Sequence, residues 1–451
     1  MNPDEQHVQP SNLDAEAGLL GSILIDSDAI TRVADLVSAT DFFDPRHERI
    51  FGAIMSLYEK RKPIDVLTLT NQLQENQELE LVDGASYITE LANMVPTASN
   101  AEHYADIVKS KAIRRGLIKT TQELATLGYD ESKPVQAIIE EAETKLFAVS
   151  QRHVAQDLSS LESILSDSFE RLDELHKDNG KIRGVSTGFT DMDAVLAGLQ
   201  KSDLIILAAR PSMGKSALSM NLAHNIAVNE KKGVLFFSLE MSKEQLVDRL
   251  LADEAQIDAW KIRTGNLTDE DFEKLGAAMG TLSEAPMFID DTPGITVMEM
   301  RTKARREAHK QELGLIIVDY LQLMSGGSKF AGSDNRVQEI SEISRGLKAI
   351  ARELNVPLIA LSQLSRSVEQ RHPQIPQLSD LRESGSIEQD ADIVMFIYRE
   401  EYYNPETDRP HIADVLIRKH RNGPTGKVEL YFNAEQVAFR NLDTKHEEIP
   451  F

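Results

Sequence analysis

The residues best suited to chemistry in this 451-residue sequence lie in its C-terminal half. ARPSMGKS, Ala209–Ser216, follows the apolar run Leu204–Ala209 and opens a helical pattern. A strand, a tight loop and a helix start in that order set backbone N–H groups and the positive end of a helix around phosphate oxygens. Lys215 would sit on the β and γ oxygens and Ser216 on Mg2+, with Gly214 letting the backbone come close. Ala209 stands where the usual motif has glycine, a departure from the formal pattern. Such a site also needs an acid to hold the metal's water shell, and the apolar Leu315–Val318 ends in Asp319. It further needs a group that positions water. Val234–Leu239 ends in Glu240, and Ser242 and Gln245 just beyond have capping-box spacing. Glu240 would therefore lie at the carboxyl edge of a parallel sheet, where ligands gather. Taken singly, Asp319 also fits a turn cap and Glu240 an acid near a helix start; the phosphate loop is what joins them into a site.

Further on, Arg418–Arg421 precedes Asn422–Gly426, a strong turn signal. On a strand, residues two apart share a face, so Lys419 and Arg421 would project together and could meet charge on a transferring phosphoryl group. Read alone, the pair is more simply a solvated edge strand.

The elements that position these residues alternate. Strands are expected at Leu204–Ala209, Val234–Leu239, Met287–Ile289, Leu315–Val318, Pro357–Leu361, Ile393–Tyr398 and Val415–Lys419. Helices are expected between them at Lys215–Val228, Lys243–Ala252, Val297–Glu312 and Val337–Leu354. Short β-branched runs alternating with helices indicate a mainly parallel sheet covered on both faces. Glu429–Phe432 and Val437–Arg440, joined by a short turn, form an expected antiparallel addition. The helix Arg301–Lys310 carries a basic cluster, read as a solvated face.

The first third reads as helix throughout. Ser11 or Asn12 caps a segment bearing Leu13, Ala17, Leu20 and Leu24, and Pro45 opens another with Ile50, Phe51, Ile54, Leu57 and Tyr58 on one face. Leu67–Leu73 follows, and Glu102–Leu127 and Pro134–Val149 read as a helical hairpin. His47 and His103 are read as surface residues of a scaffold. Leu158, Leu161, Leu165, Leu172 and Leu175 fall near heptad spacing between polar flanks, with Ile164 and Phe169 beside them. A lone amphipathic helix cannot bury its stripe unaided, so it packs on its own chain or docks on a neighbouring copy.

Composition sets the outer limits. With 49 Lys+Arg against 73 Asp+Glu the net charge is −24, which disfavours a surface that coats nucleic acid but allows a few focused phosphate contacts. Hydrophobic content of 41% with 27% charged residues is that of a globular protein. No apolar run approaches the ~20 residues of a membrane span. The polar, acidic N-terminus does not read as a signal peptide, and a cytoplasmic protein is the expectation. Zero cysteines exclude disulfides and Cys-ligated zinc.

Together, ARPSMGKSA (Ala209–Ala217), FFSLEMS (Phe236–Ser242), LIIVDYLQLM (Leu315–Met324), ALSQLSR (Ala360–Arg366), DLRESGSIEQDAD (Asp380–Asp392) and KHRNGPTG (Lys419–Gly426) resemble the bacterial replicative DNA helicases of the DnaB type over the full length. That family itself has alanine at the position of Ala209. The resemblance implies an α/β, RecA-like motor domain over 183–451, an all-helical N-terminal collar over 1–153 and a linker with an amphipathic helix over 154–182. It implies a homohexameric ring that hydrolyses ATP with Mg2+ and moves along single-stranded DNA, in the 5′→3′ direction, unwinding duplex at the fork. Ser212, Met213, Gly214, Lys215, Ser216 and Ala217 would bind ATP, with Arg249 near the phosphates. Ser216 and Asp319 would hold Mg2+, partly through water. Glu240 would activate water, Gln363 would sense the γ-phosphate, and Arg421, with Lys419 beside it, would reach ATP held by the adjacent subunit. Arg382, Glu383 and Gly385 would follow the DNA backbone; Ser325–Arg336 and Ser365–Gly385, the latter with Arg366 and Arg371, would line the pore. Partners implied are primase, through the N-terminal domain, a helicase loader and other replisome proteins, with no membrane. A RecA-type recombination ATPase and an ATP-gated loader or adaptor are the competing functional classes.

Overall fold

The computed structural model describes residues 9–132, 182–325, 336–381 and 385–442, with isolated positions between 135 and 169. It divides into two compact units, Met1–Ile164 and Leu165–Phe451.

The first unit is helical: α1 (Leu13–Ile25), α2 (Ala29–Val33), α3 (Pro45–Glu59), α4 (Val66–Glu75), α5 (Gly84–Met94) and α6 (Ala101–Gly128). Side-chain caps set several starts. Asn12 accepts the Ala15 N–H at 3.0 Å, Asp44 caps the Pro45 turn of α3, and Asp65 forms a capping box with Thr68. Leu19, Leu20 and Ile23 of α1, Ile50, Phe51 and Ile54 of α3, and Leu91 of α5 share one sealed core. α6 runs about 42 Å at 1.5 Å per residue, and its N-terminal turns supply Ala101, Ala105 and Val108 to that core.

One expectation fails here. His47 is not on the surface: it and Glu16 are each 2% exposed. The Glu16 carboxylate accepts from Phe43 N–H at 2.7 Å and lies 2.8 Å from His47 Nδ1, while His47 Nε2 lies 2.8 Å from the Tyr87 hydroxyl. A buried polar group must find partners, and these three find one another across three helices. His103 is exposed, as expected.

Of the expected Pro134–Val149 helix, the described positions are helical. In the linker, Leu161, Leu165 and Phe169 are helical and exposed; Leu158, Ile164, Leu172 and Leu175 lie outside the described residues.

The second unit is built on a nine-stranded sheet in the order β3-β2-β4-β5-β1-β6-β7-β8-β9. The strands are β1 (Leu204–Ala209), β2 (Gly233–Ser238), β3 (Met287–Asp290), β4 (Leu313–Asp319), β5 (Leu358–Gln363), β6 (Ile393–Tyr398), β7 (Ile412–His420), β8 (Gly426–Asn433) and β9 (Ala438–Asn441). All pairings from β3 to β6 are parallel and those from β6 to β9 antiparallel. β1, β2, β4 and β6 are buried along their whole length, because helices cover both faces and each residue points into a core. The helices of this unit are α7 (Thr190–Leu196), α8 (Lys215–His224), α9 (Lys243–Ala255), α10 (Ala259–Thr264), α11 (Asp269–Ser283), α12 (Val297–Ala308), α13 (Arg336–Leu354), α14 (Gly385–Asp390) and α15 (Glu400–Tyr403). α7, α10, α11, α14 and α15 are additions to the expected set. The pattern expected to run helically to Val228 leaves α-geometry for a π turn at Asn225–Asn229.

The basic cluster on α12 is only partly solvated. Arg301 and Arg305 both pair with Glu353 of α13, and Lys303 pairs with Asp290 of β3, so this face ties α12 to its neighbours. Among the described residues, no helix is long and apolar enough to cross a membrane.

Candidate nucleotide site

β1 delivers the chain to the phosphate loop at the centre of the sheet, between β5 and β6. Ser212 and Gly214 both adopt left-handed backbone, at φ 67° and 98°. A side chain at Gly214 would bring its Cβ within 2.7 Å of Phe439 Cζ, so the turn demands glycine on two counts. Met213 and Ala217 are buried under the loop and anchor it. The loop ends at Lys215, the first residue of α8.

Three residues from two elements converge there. Asp319, at the end of β4, is fully buried. Its Oδ2 accepts from Ser216 Oγ at 2.6 Å, and its Oδ1 lies 3.3 Å from Lys215 Nζ with no hydrogen-bond donor of its own. Lys215 Nζ also lies 4.3 Å from the centre of the Tyr320 ring. A hydroxyl, a carboxylate and an ammonium are thus held against the N-terminus of a helix. Hard oxygen donors beside a lysine are a donor set that suits Mg2+ and phosphate.

Lys215 and Ser216 open into a cleft of about 850 Å3 whose lining also includes Ser212, Gly214, Glu240, Arg249, Trp260 and Phe432. Glu240 follows β2 and is exposed to the cleft. The next helix is started by a Ser242–Gln245 capping box, as the spacing indicated. Arg249 is half-buried; burial pushes its guanidinium pKa down, opposed by the charges of Asp319 and Glu240. Gln363 ends β5 directly opposite Ala209 in register and lines the same cleft.

Lys419 and Arg421 are brought together, but away from their own phosphate loop. A bulge opposite Val394 and Met395 breaks the pairing at Arg418. Lys419 Nζ then donates to the Glu388 and Gln389 carbonyls at 2.5 and 3.3 Å, and Arg421 Nη2 to the Gln389 carbonyl at 2.6 Å. Asp392, 3.7 Å from Arg421, adds a carboxylate. Desolvation lowers the Lys419 pKa, and the neighbouring Arg421 lowers it further.

Gly385 begins α14, and a side chain there would meet open space. Arg382 and Glu383 lie outside the described residues, as do 326–335 of the expected pore loop. Arg371 is not a free cation: it makes a two-pronged pair with buried Asp380, at 3.0 and 2.8 Å.

Two further arginines at the loop are held by partners distant in the sequence. Arg399 lies 3.9 Å from the centre of the Phe432 ring, and burial lowers its pKa. Arg210, inside the phosphate motif, is buried against Glu369.

Comparison with known proteins agrees with this geometry. The family model described as DnaB-like helicase N terminal domain matches residues 8–110, and that described as DnaB-like helicase C terminal domain matches 184–441. Replicative DNA helicase DnaC of Bacillus subtilis is 47% identical over 97% of this chain and 96% of its own. Replicative DNA helicase DnaB of Geobacillus stearothermophilus is 45% identical over 98% and 97%. A solved DnaB-like replicative helicase, described together with its interactions with primase, superposes with a TM-score of 0.79 at 34% identity, covering 96% of this chain and 100% of that one. A second solved structure, an isolated ATPase domain, gives 0.60 at 41% identity over 64% of this chain and 100% of that one. With Lys215, Asp319 and Glu240 at one edge of a parallel sheet, and with kinship over nearly its whole length, the chain belongs to the DnaB family of replicative, ATP-dependent DNA helicases.

Proposed function

We propose that the chain works as a homohexameric ring on single-stranded DNA, hydrolysing MgATP at seams between subunits. The observation that carries this reading is a division of labour. Lys215, Ser216 and Glu240 line one cleft, with the buried Asp319 bonded to Ser216, while Lys419 and Arg421 are held on α14 carbonyls and are not among its lining residues. Lys215 would hold the β and γ oxygens, Ser216 and Asp319 the metal side, and Glu240 would take the proton of the attacking water. Mg2+, when bound, supplies charge neutralisation between the terminal phosphates. Gln363, opposite the loop on β5, would register the terminal phosphate, and Arg249 would add positive charge near it. A neighbour's Lys419 and Arg421 positions would meet the charge that develops on the transferring group.

The test is a pair of variants. Lys215→Ala and Arg421→Ala rings should each be nearly inactive, the second by about 10³–10⁵-fold on the pattern of trans arginines in P-loop enzymes. Rings mixed from both should regain turnover, because some seams then hold an intact loop and an intact cation. Verified mixed rings without recovery would sink the reading.

Arg382, Glu383 and Gly385 are proposed to follow the DNA phosphates, without reading bases, as a motor indifferent to sequence requires. Forks lacking one or the other tail test the expected 5′→3′ travel. The helical unit is proposed to receive primase, supported by the solved relative described with that partner. A helicase loader and other replisome proteins would complete the assembly, in the cytoplasm at the fork.

A further inference from the structure

The phosphate loop has a second attachment that its chemistry does not use. Arg210 is 8% exposed. Its Nε and Nη2 both point at one oxygen of Glu369, at 2.9 and 2.8 Å, and its Nη1 donates to the Leu364 carbonyl at 2.9 Å. The Leu364 N–H returns to the Ala209 carbonyl at 3.1 Å. A guanidinium taken this far out of water needs its acceptors, so the loop and the segment bearing Glu369 are bound to each other.

That segment, Ser365–Leu381, is tied together by its own contacts. Its neck is closed by the Ser365 N–H on the Asp380 carbonyl at 3.0 Å. Inside, Arg371 grips the buried Asp380 carboxylate, which also accepts the Gln377 N–H at 2.8 Å, and Val368 is fully buried. A loop whose ends meet and whose interior is packed and hydrogen-bonded moves as one piece. It leads directly to the positions proposed above to meet DNA.

We propose that Arg210 and Glu369 form a strut that makes Ser365–Leu381 move with the phosphate loop, and that Glu369 is a positioning residue for DNA-stimulated hydrolysis. The proposal rests on the assignment of Arg382, Glu383 and Gly385 to DNA. Nucleotide-driven shifts of the phosphate loop reach the DNA-side segment through the strut, and strain from the DNA side returns along it. Gln363 lies one residue before Leu364, so the strut runs beside the end of β5 but engages the phosphate loop through side chains of its own.

The experiment uses full-length rings carrying Glu369→Ala, with ATP hydrolysis measured without DNA and across an oligo(dT) titration. The rate without DNA should be native. The rate at saturating oligo(dT) should fall about 2- to 30-fold, the range of coupling that single residues carry between sites. The half-saturating oligo(dT) concentration should stay native, while the Tm should fall, since Arg210 keeps only the Leu364 carbonyl. Glu369→Gln, which keeps an oxygen for Arg210, should restore most of the stimulation. Native stimulation in Glu369→Ala would overturn the proposal. So would an equal fall in both rates, which would place Glu369 in support of hydrolysis itself, or a raised half-saturation, which would place it in DNA affinity. Arg382→Ala rings are the separate check: native stimulation and native oligo(dT) binding there would overturn the DNA assignment instead.

Discussion

The helical unit and the motor unit each bury an acid against a basic side chain, and the two pairs have opposite fates. Glu16 and His47 are sealed in the helical core, their polar atoms turned toward partners within it. Asp319 is fully buried and Lys215 largely so, yet Lys215 lines a cleft, and Asp319 Oδ1 has no hydrogen-bond donor. Burying an ion pair is weak support for either stability or function. What separates the two is access: a closed network specifies one packing, while an open one leaves valences for something that arrives from solvent.

The largest effect expected from breaking this contrast is on the open pair. Asp319→Asn removes charge at the metal side and should cost about 10²–10⁴-fold in ATP turnover, several kcal/mol of lost charge stabilisation. Its thermal unfolding should hold or improve, since a buried carboxylate has become neutral. The closed pair should answer the other way. His47→Ala leaves a cavity and strips Glu16 of a partner, and should cost about 2–5 kcal/mol in denaturant unfolding of the helical unit. Its DNA-independent ATP hydrolysis should be native where both units are folded.

A third acid sharpens the comparison by pH. Asp203 is buried beside Asp392, and burial first, then that neighbour's charge, pushes its pKa up to about 6. The folded state therefore holds a proton that the unfolded chain has released between about pH 4 and 6. The stability it contributes is present below that window and lost as pH rises through 6. Asp203→Asn should flatten this slope and raise the motor's stability at pH 8 by on the order of 1–2 kcal/mol after screening, with little change at pH 4. Chemical unfolding at both pH values measures it. The smallest effect is local: Asp65→Ala should cost the helical unit about 1 kcal/mol through its lost cap, without touching turnover.

Legibility in the sequence followed the range of the interactions. β1 and β6 end where the apolar runs Leu204–Ala209 and Ile393–Tyr398 end, because central parallel strands are buried on both faces. Lys215, Ser216, Asp319 and Glu240 were readable because each sits at a strand end or helix start with its own short-range pattern. α11, Asp269–Ser283, was not: it carries Gly276 and Gly280 and buries little, so its apolar period is faint. His47 gave no hint of burial, since its partners Glu16 and Tyr87 lie 31 and 40 residues away. The pairing of Arg371 was illegible for the same reason, its acid being nine positions on and reached only by folding of the loop.

Phe439 presses on Gly214 from β9, and its own N–H is held by Asn221 at 2.8 Å. The underside of the fuel cradle is therefore laid down more than two hundred residues after its rim. A chain that ends short of β9 lacks Phe439 against Gly214, however well its earlier strands have assembled. Closure of the sheet by β9 and support of the phosphate loop at Gly214 are therefore one event.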